Sequence, residues 1–491
     1  MPYLFIIIVL VTLNLAGGSS GEIPGWADGI IPAGTAPLAR AALILTPFLA
    51  MCIAGWAGVS QCVRSLDRRG RVGAIRWSYR IISTVRLAAL AWHVVSVFLL
   101  GSLGLVRSVV ADLILVDELI AAAPALLALL YTYRLAYPIE RRIRDAMLIR
   151  SLDEGRPVYG FPSPWQYVIG AARNNLAIIA VPLVLILGWA EVLDYLLPMM
   201  PVFTPSAGEP TLLQSAGPAG LRVLGSIAIF ALIPPVMTRV WDTVPIPHGE
   251  LRTGLEELAR AHNVRLRRFL IWRTHGAMLN GAVIGLTPWL RYIVLTDALL
   301  DNLREPEVEA VAAHEVAHVR KHHMIWLALA VIGSAMFFGE GTALAVYMLN
   351  WSDSAVVWTS AVVSLVSVVL VLGAVSRRFE WQADAFAARH LSGPGAGQIT
   401  QDGTAAMSSA LERVARLNGM SEMKFTWRHG SIATRRRRLS ALVGSPARRM
   451  PIDRHVRTVK VLTLLIFAGG VWLMVAGMLG YWPYSGPYAL G

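Results

Sequence analysis

HEVAHVRKHHMIWLALAVIGSAMFFGEGTALAVYML, residues His314–Leu349, joins two signals that seldom meet in one stretch. Its opening places His314 and His318 four residues apart, on one face of a helix, with Glu315 beside them. That pattern suits two metal-ligating imidazoles and a carboxylate able to act as general base on a metal-activated water. Six residues after His318, about 9 Å along a helix, an apolar run begins at Met324. The run is long enough to cross a hydrocarbon layer of about 30 Å. A metal held at the edge of a membrane is the expectation.

The composition agrees. Of 491 residues, 55 % are hydrophobic and 15 % charged, against about 25 % charged in an ordinary soluble domain. Apolar stretches fall at Leu4–Ala16, Ala41–Ser60, Leu87–Val106, Leu119–Tyr133, Leu176–Ala190, Val223–Thr238, Met324–Leu349, Ala355–Val375 and Val461–Tyr481. The Leu119, Leu176 and Val223 stretches are short or carry acids at one end, and need neighbours, tilt or a wet cavity to cross. The expected count is therefore eight or nine spans. The first stretch reads equally as an anchor or as a cleaved signal, since small residues follow it at Ala16–Gly21.

The formal net charge is +13, nearly all of the excess arginine, and it collects between alternate apolar runs. Gly17–Leu38, Glu191–Leu221, Asn350–Ser354 and Trp482–Gly491 lack Lys and Arg and read as outside. Arg64 to Arg86, Arg134 to Arg173, Arg239 to Arg304 and Arg377 to Arg457 read as cytoplasmic, with Arg107 alone against the pattern. The basic excess is thus a topology signal, and nucleic acid is not an expected partner. Cys52 and Cys62, the only cysteines, support neither a disulfide framework nor a cysteine metal site.

A third ligand must come from elsewhere, because position 324 of an extended HExxHxxGxxH pattern is Met. SRRFEWQADAFA, starting at Ser376, offers Glu380 and Asp384 one helical turn apart at the cytoplasmic end of an apolar run. Glu380 would complete a two-His, one-Glu zinc site, with Asp384 steadying a ligand histidine. His322 and His323 have the wrong spacing and are set aside as interface anchors, and Arg435–Arg438 as a membrane-surface or solvated face. Strand-like runs fall at Arg268–Trp272, Ala282–Leu286 and Tyr292–Leu295, after an amphipathic helix at Leu251–Ala261. Helix resumes at Glu305. A second segment, about Arg377–Arg457, is helical around a Gly/Pro loop at Ser392–Gly397. Neither segment has a core of its own, so the two are expected to pack as one split domain.

These strings carry a resemblance. EVEAVAAHEVAHVRKHH and SRRFEWQADAFA resemble those of the membrane-embedded zinc metallopeptidases of the CaaX prenyl protease and HtpX-type gluzincin family. NGAVIGLTPWLRYIVLTDALL, from Asn280, resembles the family's strand ahead of the zinc helix, and HGSIATRRRRL, from His429, its C-terminal His-Pro-Ser motif. Val316 and Ala317 stand where the family usually has Leu-Gly, and Gly281 and Gly430 where Ala and Pro are common. The resemblance implies that Asn280 and Arg435 contact substrate and that His429 serves catalysis at the cleft, steadying an oxyanion.

The expected architecture is mainly α, a polytopic membrane helix bundle with a split cytoplasmic gluzincin-like metalloprotease domain containing a small β-sheet. Its parts are a multi-span region (1–243), a catalytic segment with the HEVAH helix (244–323), a two-span hairpin (324–376), a second catalytic segment (377–458) and a last span (459–491). The expected activity is a zinc endopeptidase with one Zn2+ per chain, acting on membrane proteins or lipid-associated peptides from the cytoplasmic side of the plasma (inner) membrane. The competing reading is a transporter or sensor that keeps the zinc fold without catalysis.

Overall fold

A computed structural model describes residues 2–17, 35–153, 160–203, 212–448 and 450–478. The outer segments expected around 18–34, 204–211 and 479–491 lie outside the described residues. The chain divides into two compact units, Met1–Asp242 and Thr243–Gly491.

The first unit is helical: α1 (Pro2–Gly17), α2 (Pro37–Arg69), α3 (Gly73–Phe98), α4 (Ser102–Val110), α5 (Val116–Asp153), α6 (Pro164–Ala171), α7 (Ala177–Leu196) and α8 (Leu212–Val240). Within it Pro37–Arg69, Gly73–Phe98, Val116–Ala146, Pro164–Met199 and Gly217–Val240 are long and apolar enough to cross a membrane. The three stretches that looked short are lengthened by flanking residues, α6 and α7 running on through a π-turn at Ala172–Leu176. The run expected at Leu87–Val106 is instead broken near Leu99–Gly101, so its span begins earlier, at Gly73. α1 buries Phe5, Val9 and Leu13 against Ala89 of α3 and Ala122 and Leu129 of α5. Arg107, the exception to the charge pattern, lies 2.6 Å from Asp117 and 2.8 Å from Glu118.

The second unit opens with β1 (Thr243–Pro245), α9 (Glu250–Ala261), β2 (Arg268–Trp272), β3 (Gly281–Ile284), β4 (Tyr292–Thr296), α10 (Asp297–Asn302) and α11 (Glu305–Arg320). Two long helices follow, α12 (His323–Met348) and α13 (Asp353–Leu391), then α14 (Gln401–Leu417), α15 (Ile432–Ser440) and α16 (Pro451–Met478). α12, α13 and α16 supply the other three membrane-length apolar helices, making eight among the described residues. In the membrane packing cannot draw on the hydrophobic effect, and polar contacts help join the helices. Ser364 and Ser367 of α13 donate to the Ala335 and Ser334 carbonyls of α12 at 3.2 Å.

The sheet order is β1-β2-β4-β3, with β2 and β4 parallel and β3 antiparallel to β4. β1 was not anticipated, being three residues that end in proline. β3 is an edge strand, with no strand paired to its outer side among the described residues. One core joins both sequence segments, with Leu295 and Leu299 meeting Ala313, Ala383, Ala387 and Leu439. α11 is buried nearly all round, Ala310, Ala312, Ala313, Val316 and Ala317 each being 0 % exposed. Small side chains let neighbours close on it, and an added methylene here would cost about 1–3 kcal/mol of strain. Val316 and Ala317 therefore belong to the core.

Candidate metal centre

α11 starts as a helix should: Pro306 sits in its first turn, and the Glu307 carboxylate accepts from the Arg304 backbone N–H at 2.9 Å. Glu307 is 1 % exposed, yet Arg304 and, from α14, Arg413 approach it at 2.8 and 3.4 Å. This fixes the helix that carries His314, Glu315 and His318.

α13 brings Glu380 to the same point from 62 residues further along the chain than His318. His314 Nε2 and His318 Nε2 are 3.2 Å apart, and Glu380 oxygens lie 3.7 and 3.8 Å from them. Tetrahedral coordination with bonds of about 2.0–2.1 Å sets donors about 3.3–3.4 Å apart, and one donor atom from each of the three residues can be chosen with all within 4.8 Å of one another, a separation from which they can close on one ion. Both histidines are backed at the other ring nitrogen, as ligand histidines are. Asp384 Oδ1 lies 3.0 Å from His314 Nδ1, and His323 Nδ1 lies 3.0 Å from His318 Nδ1.

Charge is arranged to match. Two imidazolium groups this close repel, and burial followed by the His314 charge pushes His318 down to about 4, which keeps it neutral. Burial would lower His314 too, but the Asp384 carboxylate 3.0 Å away raises it. Burial raises the Glu315 carboxyl, while His314 and the Val283 backbone N–H act the other way. A base held above the usual carboxylate range is better able to keep a proton once taken.

His429 and Arg435 come from a third place in the sequence. His429 Nδ1 is 3.0 Å from Glu380 Oε2 on a half-exposed side chain. Arg435 is nearly buried and binds Asp384 with two bonds of 2.6 and 2.7 Å, with Glu380 at 3.3 Å. Burial opposes its charge, and the two acids outweigh it, holding the guanidinium above its ordinary range. Asn280 is exposed at the start of β3, its backbone tied to Thr296 at 3.0 Å both ways. Gly281 next to it is required by packing: a methyl group there would stand 2.9 Å from Val311 Cγ1 and 3.5 Å from Glu315 Cγ.

His323 was passed over in the sequence because five residues from His318 is not a helical repeat. The chain bends between them at His322, which takes φ of 57° and ends one helix before the next begins. His322 is thereby turned out to solvent and His323 turned in, 2 % exposed and stacked on Phe379.

Residues 245–442 match the sequence profile of Peptidase family M48, a stretch that contains all three donors. The chain is 30 % identical over 166 residues to "Probable CAAX prenyl protease 1" of Schizosaccharomyces pombe, covering 31 % of this chain and 35 % of that one. It is 30 % identical over 162 residues to "Protease HtpX" of Glaesserella parasuis, covering 30 % and 53 %. The chain thus spans about a third to a half of these curated relatives. A crystal structure of S. mikatae Ste24p aligns with 82 % of this chain and 99 % of that one, at 14 % identity and a TM-score of 0.36.

Proposed function

We propose, from the match of residues 245–442 to the profile of Peptidase family M48, that the chain is a multi-pass membrane zinc endopeptidase. The observation that carries this reading is the meeting of His314, His318 and Glu380 within 4.8 Å of one another, with the Glu315 carboxylate on the adjoining helix position. Two imidazole nitrogens and one carboxylate form the donor set of catalytic zinc sites, leaving a fourth place for water or substrate. Zinc held there would polarise a scissile carbonyl and make a water acidic near neutral pH.

The chain's own residues supply the rest. Glu315 takes the proton from the attacking water and returns it to the leaving amine. The open edge of β3 runs past Glu315, so an extended peptide adding as a further strand would present its backbone there, with the Asn280 amide at one end. His429 lies beside Glu380 on the exposed side, where it can donate to the developing oxyanion. Arg435 is assigned to holding Asp384 and Glu380, in place of the substrate contact expected from the resemblance.

Membrane proteins or lipid-associated peptides are the proposed substrates, acting from the cytoplasmic side. Support comes from the arginine-rich connections and from the donors' position on or beside apolar helices α12 and α13. The test measures zinc content and cleavage of a fluorogenic peptide together. Glu315→Gln should keep about one zinc and lose cleavage, whereas Glu380→Gln should lose both. Full zinc and full activity in Glu380→Gln would sink the three-donor reading. A cysteine at Asp402 labelled by an impermeant reagent from outside intact cells would overturn the cytoplasmic placement.

A further inference from the structure

Between α14 and α15 the chain runs GMSEMKFTWRHG, Gly419–Gly430, and shows its apolar side chains to the outside. Met420 is 39 % exposed, Met423 74 %, Phe425 65 % and Trp427 39 %. Lys424 and Arg428 are exposed among them, while the acid, Glu422, is paired with Arg436 at 2.7 Å. An exposed cluster of this kind on a folded protein calls for an occupant.

The surface it joins says what covers it. On α13 the residues Val362, Val366, Val369 and Leu370 are exposed and apolar along a helix of membrane length. Positions 373 and 377 continue the same face, since they follow 366 and 370 at seven-residue spacing. The Trp427 indole lies on Gly373, leaving no room for a side chain there, and the Arg377 guanidinium stands 5.6 Å from the Phe425 ring centre. Arg377 also donates to the Trp427 carbonyl at 2.7 Å. The lipid-facing stripe of α13 therefore passes without interruption into Trp427 and Phe425, at the level where apolar sequence gives way to Arg377 and Arg378. Tryptophan, phenylalanine and methionine beside Lys and Arg are what the headgroup and acyl boundary of a leaflet accommodates.

We infer that residues 420–428 form a membrane-inserting loop, seated in the interfacial layer of the same bilayer that α13 crosses. Trp427 and His429 lie on one tight turn, closed by Thr426 and Gly430 exchanging backbone bonds of 3.1 and 2.8 Å. One end of the turn touches the interface and the other the candidate centre, so the approach past His429 opens at the lipid boundary. The inference rests on α13 as a span and stands whether or not the chain cleaves peptides.

The test places one environment-sensitive dye. Met423→Cys, in a Cys52→Ser and Cys62→Ser background, is labelled with NBD and the full chain reconstituted in phosphatidylcholine vesicles containing phosphatidylglycerol. The expected result is blue-shifted emission, quenched at least about twofold more by a lipid spin-labelled high on its acyl chain than by aqueous iodide. Emission at the position of the free dye in water, quenched fully by iodide, would overturn the inference. So would blue-shifted emission that neither quencher reaches, because the loop would then lie against protein, whether a second copy or another partner. Phe425→Cys gives the same readout if the first variant folds poorly.

Discussion

Asp384 Oδ1 stands 3.0 Å from His314 Nδ1, while the same carboxylate takes both bonds of the Arg435 guanidinium. One acid thus orients a candidate ligand and is itself held by a buried cation. Asp384→Asn leaves the three donors in place but weakens the charge behind His314. Metal affinity, measured by chelator competition on the purified protein, should fall about 10- to 100-fold, the usual range for such partners. An unchanged affinity would show that the contact is incidental.

Arg435→Gln tests the other half of that relationship. Asp384 is 1 % exposed and takes both bonds of the guanidinium, so losing Arg435 leaves a buried acid without its cation. Breaking a buried pair from one side commonly costs about 3–5 kcal/mol. The variant should show a clearly lowered thermal midpoint, and adding Asp384→Asn should recover part of it, because residues in one network are not additive. If the double variant is as unstable as the sum of the singles, the two side chains are not coupled as the geometry requires.

The membrane character and the split domain were legible because they rest on long signals. An apolar run at Ala355–Val375 has one interpretation, and the period placing His314 and His318 on one face is local. Glu380 and Asp384 could be proposed because helix α13 repeats the same one-turn spacing. What escaped notice depended on chain bends and on packing. The break near Leu99 shifted a span, the turn at His322 gave two neighbouring histidines opposite surroundings, and the two bonds from Arg435 to Asp384 depend on a packing that the spacing of the two residues does not encode. Gly430 takes φ of 76°, which proline cannot adopt, so the turn carrying His429 differs here from one built on His-Pro-Ser. None of these is written in residue type or period.

Gly281 is a case where packing explains a residue choice. Its missing side chain lets β3 close on α11, and the atom it spares is Val311 Cγ1, at 2.9 Å from where a Cβ would stand. Gly281→Ala alone should destabilise the protein by about 1–3 kcal/mol, as overpacking does, and shift Glu315 enough to lower cleavage. Combined with Val311→Ala, which removes the colliding methyl, both stability and cleavage should return toward the starting values. Thermal denaturation and peptide hydrolysis on the two variants decide it. No recovery in the pair would mean that Gly281 is needed for another reason.

His323 gives the last prediction, because its hydrogen bonds can be directed one by one. A neutral His318 that offers Nε2 to a metal carries its proton on Nδ1, which then donates to His323 Nδ1 at 3.0 Å. His323 must in turn be protonated at Nε2, where it meets the Gln382 carbonyl oxygen at 2.8 Å. The Gln382 amide donates to Asp453, which also lies 3.3 Å from Lys321 Nζ. Every group in this chain has one consistent role, and its effect is to hold the His318 ring with Nε2 facing the centre. His323→Ala should therefore weaken metal binding about 10- to 100-fold in chelator competition. His322→Ala, one residue away but turned outward, should leave it unchanged. His323→Gln keeps a side chain able to accept from His318, and should bind metal more tightly than the alanine variant. Equal affinity in all three variants and the parent protein would show that the His318 ring needs no support from behind.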